Sequence, residues 1–305
     1  MSTTSIRPGR TRQTGFTLLE LVIVVAILAI LAGIAVRSME GLDQQARFEA
    51  TGRCMRDISD AVLTSGRDAD GSLLVSGFVA DMGRLPKAVG SDPATQLQEL
   101  WCNPRNLQPF AVRPAPSDPE VVVASGWRGN YLRLGVGQFV LQDGWGQPFD
   151  LLKSDQATPV ADGDVVAVLR SRGADGAVDS GTPNNYDADI LIPLGGTAPT
   201  SGDISQATIS GRVFQLDANT GQLRDPDPAN GDVTIRYFAP DPATGLPSEQ
   251  VVTISAPFTA VSFSFAATVG PRVIRAYQGS PATLRSVPVR VMLQPGGQAK
   301  DLVIR

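Results

Sequence analysis

The sequence predicts an α+β fold in which a long N-terminal helix packs on a small antiparallel sheet and an all-β sandwich follows. One observation is an apolar run over residues 16–36 that continues into apolar residues at helical spacing. A second is the content of glycine and proline, 31 and 23 of 305 residues, which favours many turns and short strands. A third is the alternation of apolar and polar residues beyond residue 206, which is typical of strands.

The composition excludes several functional classes. The chain contains no histidine, which removes mechanisms that use an imidazole base and most catalytic zinc sites. The net charge of −4 provides no broad basic field, so we expect no binding of nucleic acid. No motif arranges carboxylates as an acid and a base, and the sequence has no P-loop, so we expect no enzymatic activity.

Residues 16–36 have the length of a membrane span. They carry one charge, Glu20, and at about 1.5 Å per residue they extend roughly 30 Å, the thickness of a hydrocarbon core. Arginines but no acidic residues precede this run, which predicts a cytoplasmic N-terminus. A plain anchor and a signal peptide cleaved near Ala35 are the alternatives. Neither explains Glu20, because a charge inside an apolar span is costly unless it is paired.

The start of the apolar run carries a recognisable motif. The sequence GFTLLE at residues 15–20 resembles the class III signal of type IV pilins and type II secretion pseudopilins. The resemblance implies cleavage after Gly15 by a prepilin peptidase and N-methylation of the new terminal residue, Phe16. It also implies that Glu20 pairs with the N-terminal amine of a neighbouring subunit and so governs assembly.

The sequence divides into five segments. Residues 1–15 form the predicted leader peptide. Residues 16–67 form the N-terminal helix, with residues 16–36 as its transmembrane part and an amphipathic part beyond it. The remaining segments are a globular domain over residues 68–193, a linker rich in Gly, Thr and Ser over residues 194–205, and a β-sandwich domain over residues 206–305.

Motifs in the globular region extend the resemblance to the major pseudopilin of type II secretion systems, over about residues 15–190. That family carries the patterns G-R-Y/L-P, G-Y-L, D-P-W-G-x-P-Y and S-x-G-A-D-G. The matching segments here, in the same order, are GRLP at 83–86, GNYL at 129–132, DGWGQPF at 143–149 and SRGADG at 171–176. Gly144 stands where the family usually has proline, and Arg172 stands where leucine is usual.

The family uses the loop that follows the last of these motifs to bind calcium. The resemblance assigns to that site Asp175, Asp187 or Asp189, and the main-chain carbonyl of Arg172. Asp179 adds a further carboxylate, and Ca²⁺ takes about 6–8 oxygen ligands on a flexible loop. The alternative is that these aspartates only form turns.

The chain has two cysteines, Cys54 and Cys102. In an oxidising compartment a disulfide between them would tie the helix to the segment near Trp101. The alternative is a buried free thiol at Cys54, which lies on the apolar stripe of the helix.

The C-terminal region extends beyond the point where major pseudopilins usually stop. About seven short apolar stretches separated by turns predict a β-sandwich. They are residues 207–216, 234–238, 251–255, 261–265, 272–277, 287–293 and 302–304. Their arrangement is similar to that of carboxypeptidase-regulatory-like (transthyretin-like) sandwiches. A spacer and a binding head for a protein or a glycan are both compatible with the sequence.

Together, the resemblances imply a structural subunit of a type II secretion pseudopilus, which assembles through its N-terminal helix to drive protein export across the outer membrane. They imply a single-pass inner-membrane protein with a periplasmic globular part. The implied partners are other copies and other pseudopilins, the prepilin peptidase, the inner-membrane assembly platform and secreted exoproteins, with calcium as cofactor. The alternative is a type IV pilus minor pilin or a membrane-anchored adhesin whose sandwich is the working end.

Overall fold

The structure is a computed structural model. It describes residues 17–67, 69–71, 73–90, 92, 97–135, 140–179, 186–194, 206–279, 282–294 and 296–305, and of residues 34–40, 73 and 206 only the backbone. Of the described residues, 20 % are in helices and 37 % in strands, which confirms the predicted α+β class. The chain forms two compact units, residues 1–47 and residues 48–305, which are described separately.

Helix α1 spans Leu18–Val62. In its second half Thr51, Met55, Ile58 and Val62 are buried, at the spacing of one helical face. The sequence predicts a stripe through Cys54, but Cys54 is only half-buried, because the buried face is rotated by one residue toward Met55. The polar side chain of Thr51 belongs to this face, which hydrophobicity alone does not reveal.

The helix ends at Val62 rather than at residue 67. Strand β1 (Thr64–Arg67) follows and pairs with β2 (Leu73–Ser76) in an antiparallel hairpin. The hairpin returns the chain at Gly77, where a Cβ atom would lie 2.8 Å from the carbonyl oxygen of Val62. Only glycine allows this approach at its φ of 108°, so the hairpin closes directly against the last turn of α1.

The central part of the chain contains short elements. Helix α2 (Phe78–Met82) is fully buried and ends at Gly83, which has a left-handed conformation. A single 3₁₀ turn follows at Gln98–Leu100. Strands β3 (Ala111–Pro114) and β4 (Val122–Ser125) form a hairpin. A three-stranded antiparallel sheet consists of β5 (Asp150–Leu152), β6 (Val168–Ser171) and β7 (Ile190–Pro193).

The C-terminal region contains two five-stranded sheets. In one, β11 (Pro247–Ile254), β10 (Val233–Pro240) and β13 (Gly270–Gln278) lie side by side, and β14 (Leu284–Arg285) and β15 (Val289–Leu293) both pair with β13. In the other sheet, the long strand β8 (Gln206–Leu216) pairs with all four remaining strands. These are β9 (Leu223–Arg224), β12 (Val261–Thr268), β16 (Gln298–Ala299) and β17 (Leu302–Ile304). Each of the seven apolar stretches predicted from the sequence overlaps one of these strands.

The two sheets enclose an apolar core. The ring of Tyr237 on β10 stacks on Phe265 of β12, with ring centroids 5.9 Å apart. Alternating residues of both sheets point into the same core, as in the burial pattern of β12, where Val261, Phe263 and Phe265 are buried. The sheets therefore pack face to face as a sandwich.

The outer face of the β10–β13 sheet is covered by the β3–β4 hairpin. Val121 and Val123 pack with Phe238 and Val273 in a cluster of buried side chains. Ion pairs join the same regions, since Arg275 on β13 donates to Asp118 at 2.6 Å. The predicted boundary over residues 194–205 stays a prediction, and residues 195–205 lie outside the described part of the chain. The segments on its two sides nevertheless share buried contacts.

A buried ion pair organises the region between α2 and the 3₁₀ turn. The guanidinium of Arg84 donates two hydrogen bonds to the carboxylate of Glu99, at 2.7 and 2.9 Å. The side chain of Glu99 is fully buried, and it also accepts the backbone N–H of Lys87 at 2.8 Å. Arg84 additionally donates to the carbonyl oxygen of Pro242, which lies in the sandwich.

We expect Glu99→Ala to lower the free energy of unfolding by about 3–5 kcal/mol, because Arg84 would stay buried without its partner. Unfolding by denaturant is followed by tryptophan fluorescence, since Trp127 Nε1 donates to the backbone carbonyl of Glu99. The control is Asp43→Ala, which removes the exposed pair between Asp43 and Arg47. That change should cost less than about 1 kcal/mol. An equally small loss for both variants would contradict the role of the buried pair.

Candidate functional site

The start of helix α1 is capped by the residues of the N-terminal motif. Thr17 precedes the helix, and its Oγ1 accepts the backbone N–H of Glu20 at 3.2 Å. The carbonyl oxygen of Thr17 accepts the N–H of Leu21 at 3.2 Å. Glu20 therefore occupies the third helical position of a capping-box sequence, T-x-x-E. The spacing of Thr17 and Glu20 in the sequence is the signal that predicts this cap.

The cleavage and methylation residues predicted from the sequence, Gly15 and Phe16, lie outside the described part of the chain. From Leu18 to Leu31 the large apolar side chains of α1 are all exposed.

Within the described residues, no helix combines the length and the apolar character that a membrane span requires.

The turn at residues 143–147 is held by one carboxylate. Asp143 Oδ1 accepts the backbone N–H groups of Trp145 at 3.0 Å and Gln147 at 2.8 Å, and its Oδ2 accepts the hydroxyl of Ser171 at 2.7 Å. Thr51 Oγ1 on α1 accepts the N–H of Gly144 at 2.8 Å. The D-G-W-G motif is thus a turn that joins α1 to the three-stranded sheet.

An aromatic contact attaches the acidic loop to the same helix. The ring of Phe48 meets Trp145 edge-on at 6.5 Å between centroids and Tyr186 at 6.0 Å. Tyr186 lies next to Asp187, the first aspartate after the segment that the structure leaves out of description. This contact was not predicted, because the residues are far apart in the sequence.

Asp150 is the centre of an arginine cluster. Arg170 donates to its Oδ2 at 2.7 Å, and Arg172 donates to both oxygens, at 2.7 and 2.8 Å. Burial alone would raise the pKa of Asp150, but the hydrogen bonds from Arg172 and Arg170 outweigh it and lower the pKa. The side chain of Arg172 is therefore engaged by Asp150, which is not among the ligands predicted from the sequence.

Asp179 and Asp189 meet across the acidic loop. The carboxylate of Asp179 accepts the backbone N–H of Asp189 at 2.6 Å, and the N–H of Asp179 points to Asp189 Oδ2 at 3.4 Å. Among the described residues, the other oxygen, Asp189 Oδ1, is buried and has no hydrogen-bond partner. Burial, reinforced by the nearby charges of Asp179 and Asp150, raises the pKa of Asp189 even though Arg170 lies 3.7 Å away.

The remaining members of the predicted calcium set have separate positions. Asp175 accepts the N–H of Ala177 at 2.9 Å and so closes a turn of its own. At Gly173 a Cβ atom would lie 2.6 Å from the carbonyl oxygen of Asp187, so the two sides of the loop touch through their backbones. In the described ranges, no three acidic or cysteine side chains converge as a metal site. Residues 180–185 of the loop lie outside those ranges.

Both cysteines are free thiols in the structure, and Cys54 and Cys102 are each half-buried. Cys54 Sγ lies 3.9 Å from the carbonyl oxygen of Gln142. Burial raises the pKa of both thiols, and for Cys54 the charges of Asp57 and Asp143 add to this effect. The disulfide between Cys54 and Cys102 stays a prediction.

Comparison with known families identifies one feature of the chain. Residues 10–36 match the model of the prokaryotic N-terminal methylation motif. This match supports a type IV pilin-like protein in the broad sense, with a membrane-anchored N-terminus, processing by a prepilin peptidase and assembly with other pilin subunits. Neither the curated proteins nor the solved structures provide a significant match.

The buried carboxylate of Asp189 predicts a pH effect on stability. Because its pKa is raised in the folded state, the folded protein holds this proton more tightly than the unfolded chain, and the stabilisation is lost as the pH rises. In the presence of a chelator, Asp189→Asn should raise the melting temperature at neutral pH. The difference from the wild type should disappear below about pH 4.

Asp150→Asn is the matched control with the opposite sign. The pKa of Asp150 is lowered in the folded state, so its stabilisation exists at neutral pH and is lost on acidification. This variant should melt lower than the wild type at neutral pH and converge with it in acid. A lower melting temperature of Asp189→Asn than of the wild type at neutral pH would contradict the conclusion that burial disfavours the ionised carboxylate of Asp189.

Proposed function

We propose that this protein is a non-enzymatic, structural subunit of a type II secretion pseudopilus. The observation that carries the proposal is the methylation motif over residues 10–36, with Glu20 at the third position of α1. The major-pseudopilin motifs of the globular region, which the family carries in the same order, favour a secretion pseudopilus over a pilus. The proposed location is the inner membrane, with the globular part in the periplasm.

In this proposal the apolar half of α1 is the assembly element. Its side chains from Leu18 to Leu31 are exposed and uncharged apart from Glu20. In a hydrocarbon environment the carboxylate of Glu20 requires an opposite charge, and the N-terminal amine of a neighbouring processed subunit supplies one. The partners are therefore other copies, other pseudopilins, the prepilin peptidase and the inner-membrane assembly platform. A partner provides ATP hydrolysis, and exported proteins are the cargo.

The globular contacts suit a subunit that has to bear load. The second half of α1 is fixed to the motif loops through Thr51 and Phe48. The sandwich is fixed to the centre of the chain through Arg84 and Arg275. In this proposal, these contacts make the sandwich, the centre of the chain and the helix segment from Phe48 onward move as one rigid part. A subunit of a secretion filament requires such rigidity.

A second candidate is a type IV pilus minor pilin or a membrane-anchored adhesin. The observation that favours it is the size of the sandwich, whose strands β8–β17 make up most of the strand content of the chain. In this alternative the sandwich binds a protein or a glycan. Capture of exported proteins by the purified full chain favours the pseudopilus, whereas capture of surface ligands favours the adhesin.

Calcium is part of the proposal. The donor set fits a hard cation, because Asp189 Oδ1 is a buried carboxylate oxygen with no hydrogen-bond partner in the part of the chain that the structure describes. A second carboxylate, that of Asp179, lies beside it. Asp187 and the main-chain carbonyl of Arg172 would supply further oxygens, and Asp175 would do so on leaving the turn that it closes with Ala177. A bound Ca²⁺ would neutralise the carboxylates and hold the loop against the sheet.

The role of Glu20 is tested with two variants that separate its charge from its position in the helix cap. Glu20→Ala removes both, whereas Glu20→Gln keeps a capping-box residue and removes the charge. We expect both variants to be cleaved and to begin at N-methylated Phe16, as measured by mass spectrometry of membrane-derived protein. We expect both to be incorporated poorly into filaments isolated by shearing.

Normal assembly of Glu20→Gln would show that the charge is dispensable. A wild-type chain that begins at Met1, or after Ala35, would contradict the pilin-like processing itself.

The calcium proposal predicts a conditional loss of stability. Asp179→Ala and Asp175→Ala should lower the melting temperature relative to the wild type when calcium is present, and much less when a chelator is present. The wild type itself should melt higher with calcium than without it. Asp217→Ala, in a turn of the sandwich, is the control and should behave alike in both conditions. The same loss for Asp179→Ala with the chelator as with calcium would refute the site.

A further inference from the structure

Strand β12 forms one edge of the sandwich. It pairs with β8 over all eight residues, from Val261 opposite Val213 to Thr268 opposite Gln206. Within the ranges that the structure describes, no strand pairs with its other side. In natural sheets, charged residues, proline or a bulge usually prevent such an edge strand from pairing with another chain. The sequence of β12, VSFSFAAT, contains no charge, proline or glycine, and its register is regular.

The hydrogen bonds of β8 show which backbone groups of β12 point to the open side. Ser210 accepts the N–H of Lys300 at 2.7 Å, and the N–H of Arg212 donates to Asp301, both on the side of β8 away from β12. In an antiparallel ladder the residues opposite them also point away from the shared side. Ser264 and Ser262 therefore direct their N–H and C=O groups to the open edge. Ala266 does the same, because every second residue of a strand points its backbone groups to the same side.

The other long edges of the sandwich differ from β12. Strand β11 carries Pro247 and Glu249, and β15 carries Arg290. These residues discourage the addition of a strand. Strand β12 is therefore the edge of the sandwich whose sequence permits pairing.

The two faces of β12 indicate what the added strand is. Its outer face presents the small, exposed side chains of Ser262, Ser264 and Ala266, whereas Phe263 and Phe265 are buried in the sandwich. A lone peptide added here would leave its inner side chains without a second sheet above them. A second copy of this chain brings a β12 strand whose inner face is already covered by its own sandwich.

We propose that β12 pairs with β12 of a second copy in an antiparallel, two-fold symmetric arrangement centred on Ser264. This register places Ser262 opposite Ala266 of the partner subunit and allows about six backbone hydrogen bonds. All the facing side chains are small and uncharged, so no pair repels. The contact joins two five-stranded sheets into one continuous sheet.

The expected strength of the contact follows from its size. A single strand edge buries less than the roughly 1,200 Å² that stable interfaces reach, so the pairing depends on a high local concentration. Anchoring of the N-terminus in a membrane supplies that concentration. The inference goes beyond the proposed function, because it assigns a separate surface that does not involve α1.

The pairing is tested by cross-linking the full chain in membranes. Ser264→Cys is introduced together with Cys54→Ala and Cys102→Ala, and a mild oxidant is added. At the centre of the proposed register the two Cα atoms lie about 5.5 Å apart, within the range of a disulfide. We expect several-fold more disulfide-linked dimer than for Thr253→Cys, an exposed position on the other edge strand β11 in the same background. If Ser264→Cys gives the same yield of disulfide-linked dimer when Glu20→Ala is also present, the β12 contact forms independently of filament assembly.

Charged variants provide the second measurement. Two differently tagged copies that both carry Ser264→Lys, or both carry Ser264→Glu, should co-purify less than wild-type copies, because like charges would face each other. A Lys copy together with a Glu copy should restore co-purification, and Thr253→Lys should leave it unchanged. Melting curves of each variant serve as the folding control.

The proposal is overturned by any of three results. The first is equal cross-linking at residues 264 and 253. The second is a cross-linked product whose mass contains another protein, since that result would assign the edge to a different partner. The third is failure of the Lys and Glu copies to restore co-purification.

Discussion

The fold of residues 48–305 depends on a guanidinium that is buried where α2 meets the sandwich. Arg272 on β13 is almost fully buried, and its donors are all directed at main-chain carbonyl oxygens and one hydroxyl rather than at a carboxylate. One of these acceptors is the carbonyl oxygen of Ala80 in α2, at 2.9 Å. Gly270 allows the approach, because a Cβ atom there would lie 2.8 Å from the Cα atom of Ala80. Burial lowers the pKa of Arg272, so its hydrogen bonds have to replace water completely.

Aspartates in similar sequence surroundings have different physical roles in this molecule. Asp143 accepts hydrogen bonds from two backbone N–H groups and a hydroxyl, and Asp150 accepts hydrogen bonds from two arginines. Asp189 has one oxygen that finds no hydrogen-bond partner among the described residues. Burial raises the pKa of Asp189 and so disfavours its ionised form, even with Arg170 3.7 Å away. The difference arises from the groups that each carboxylate meets in the fold. Asp143 meets the N–H groups of its own turn and Ser171, whereas Asp150 meets arginines in and next to β6.

Much of the fold could be predicted from the sequence. The sandwich strands were predictable because their apolar alternation is local and the intervening turns contain Gly and Pro, as in the stretch 261–265 that became β12. The buried face of α1 lies one residue away from the predicted apolar stripe. The shift arises because Thr51, a polar residue, is buried and accepts a hydrogen bond from the backbone N–H of Gly144. The partnership of Arg172 with Asp150 could not be predicted, because it follows from the pairing of β5 with β6, a long-range event. The same applies to the β3–β4 hairpin on the outer face of the sandwich.

That hairpin makes the C-terminal strands and the centre of the chain depend on each other. Phe238 and Val273 on the sandwich side, and Val121 and Val123 on the hairpin side, form one buried cluster. Removal of the strands after residue 205 would therefore expose the hairpin's half of this cluster to water. Grafting these strands onto another pilin-like subunit would require the hairpin as well.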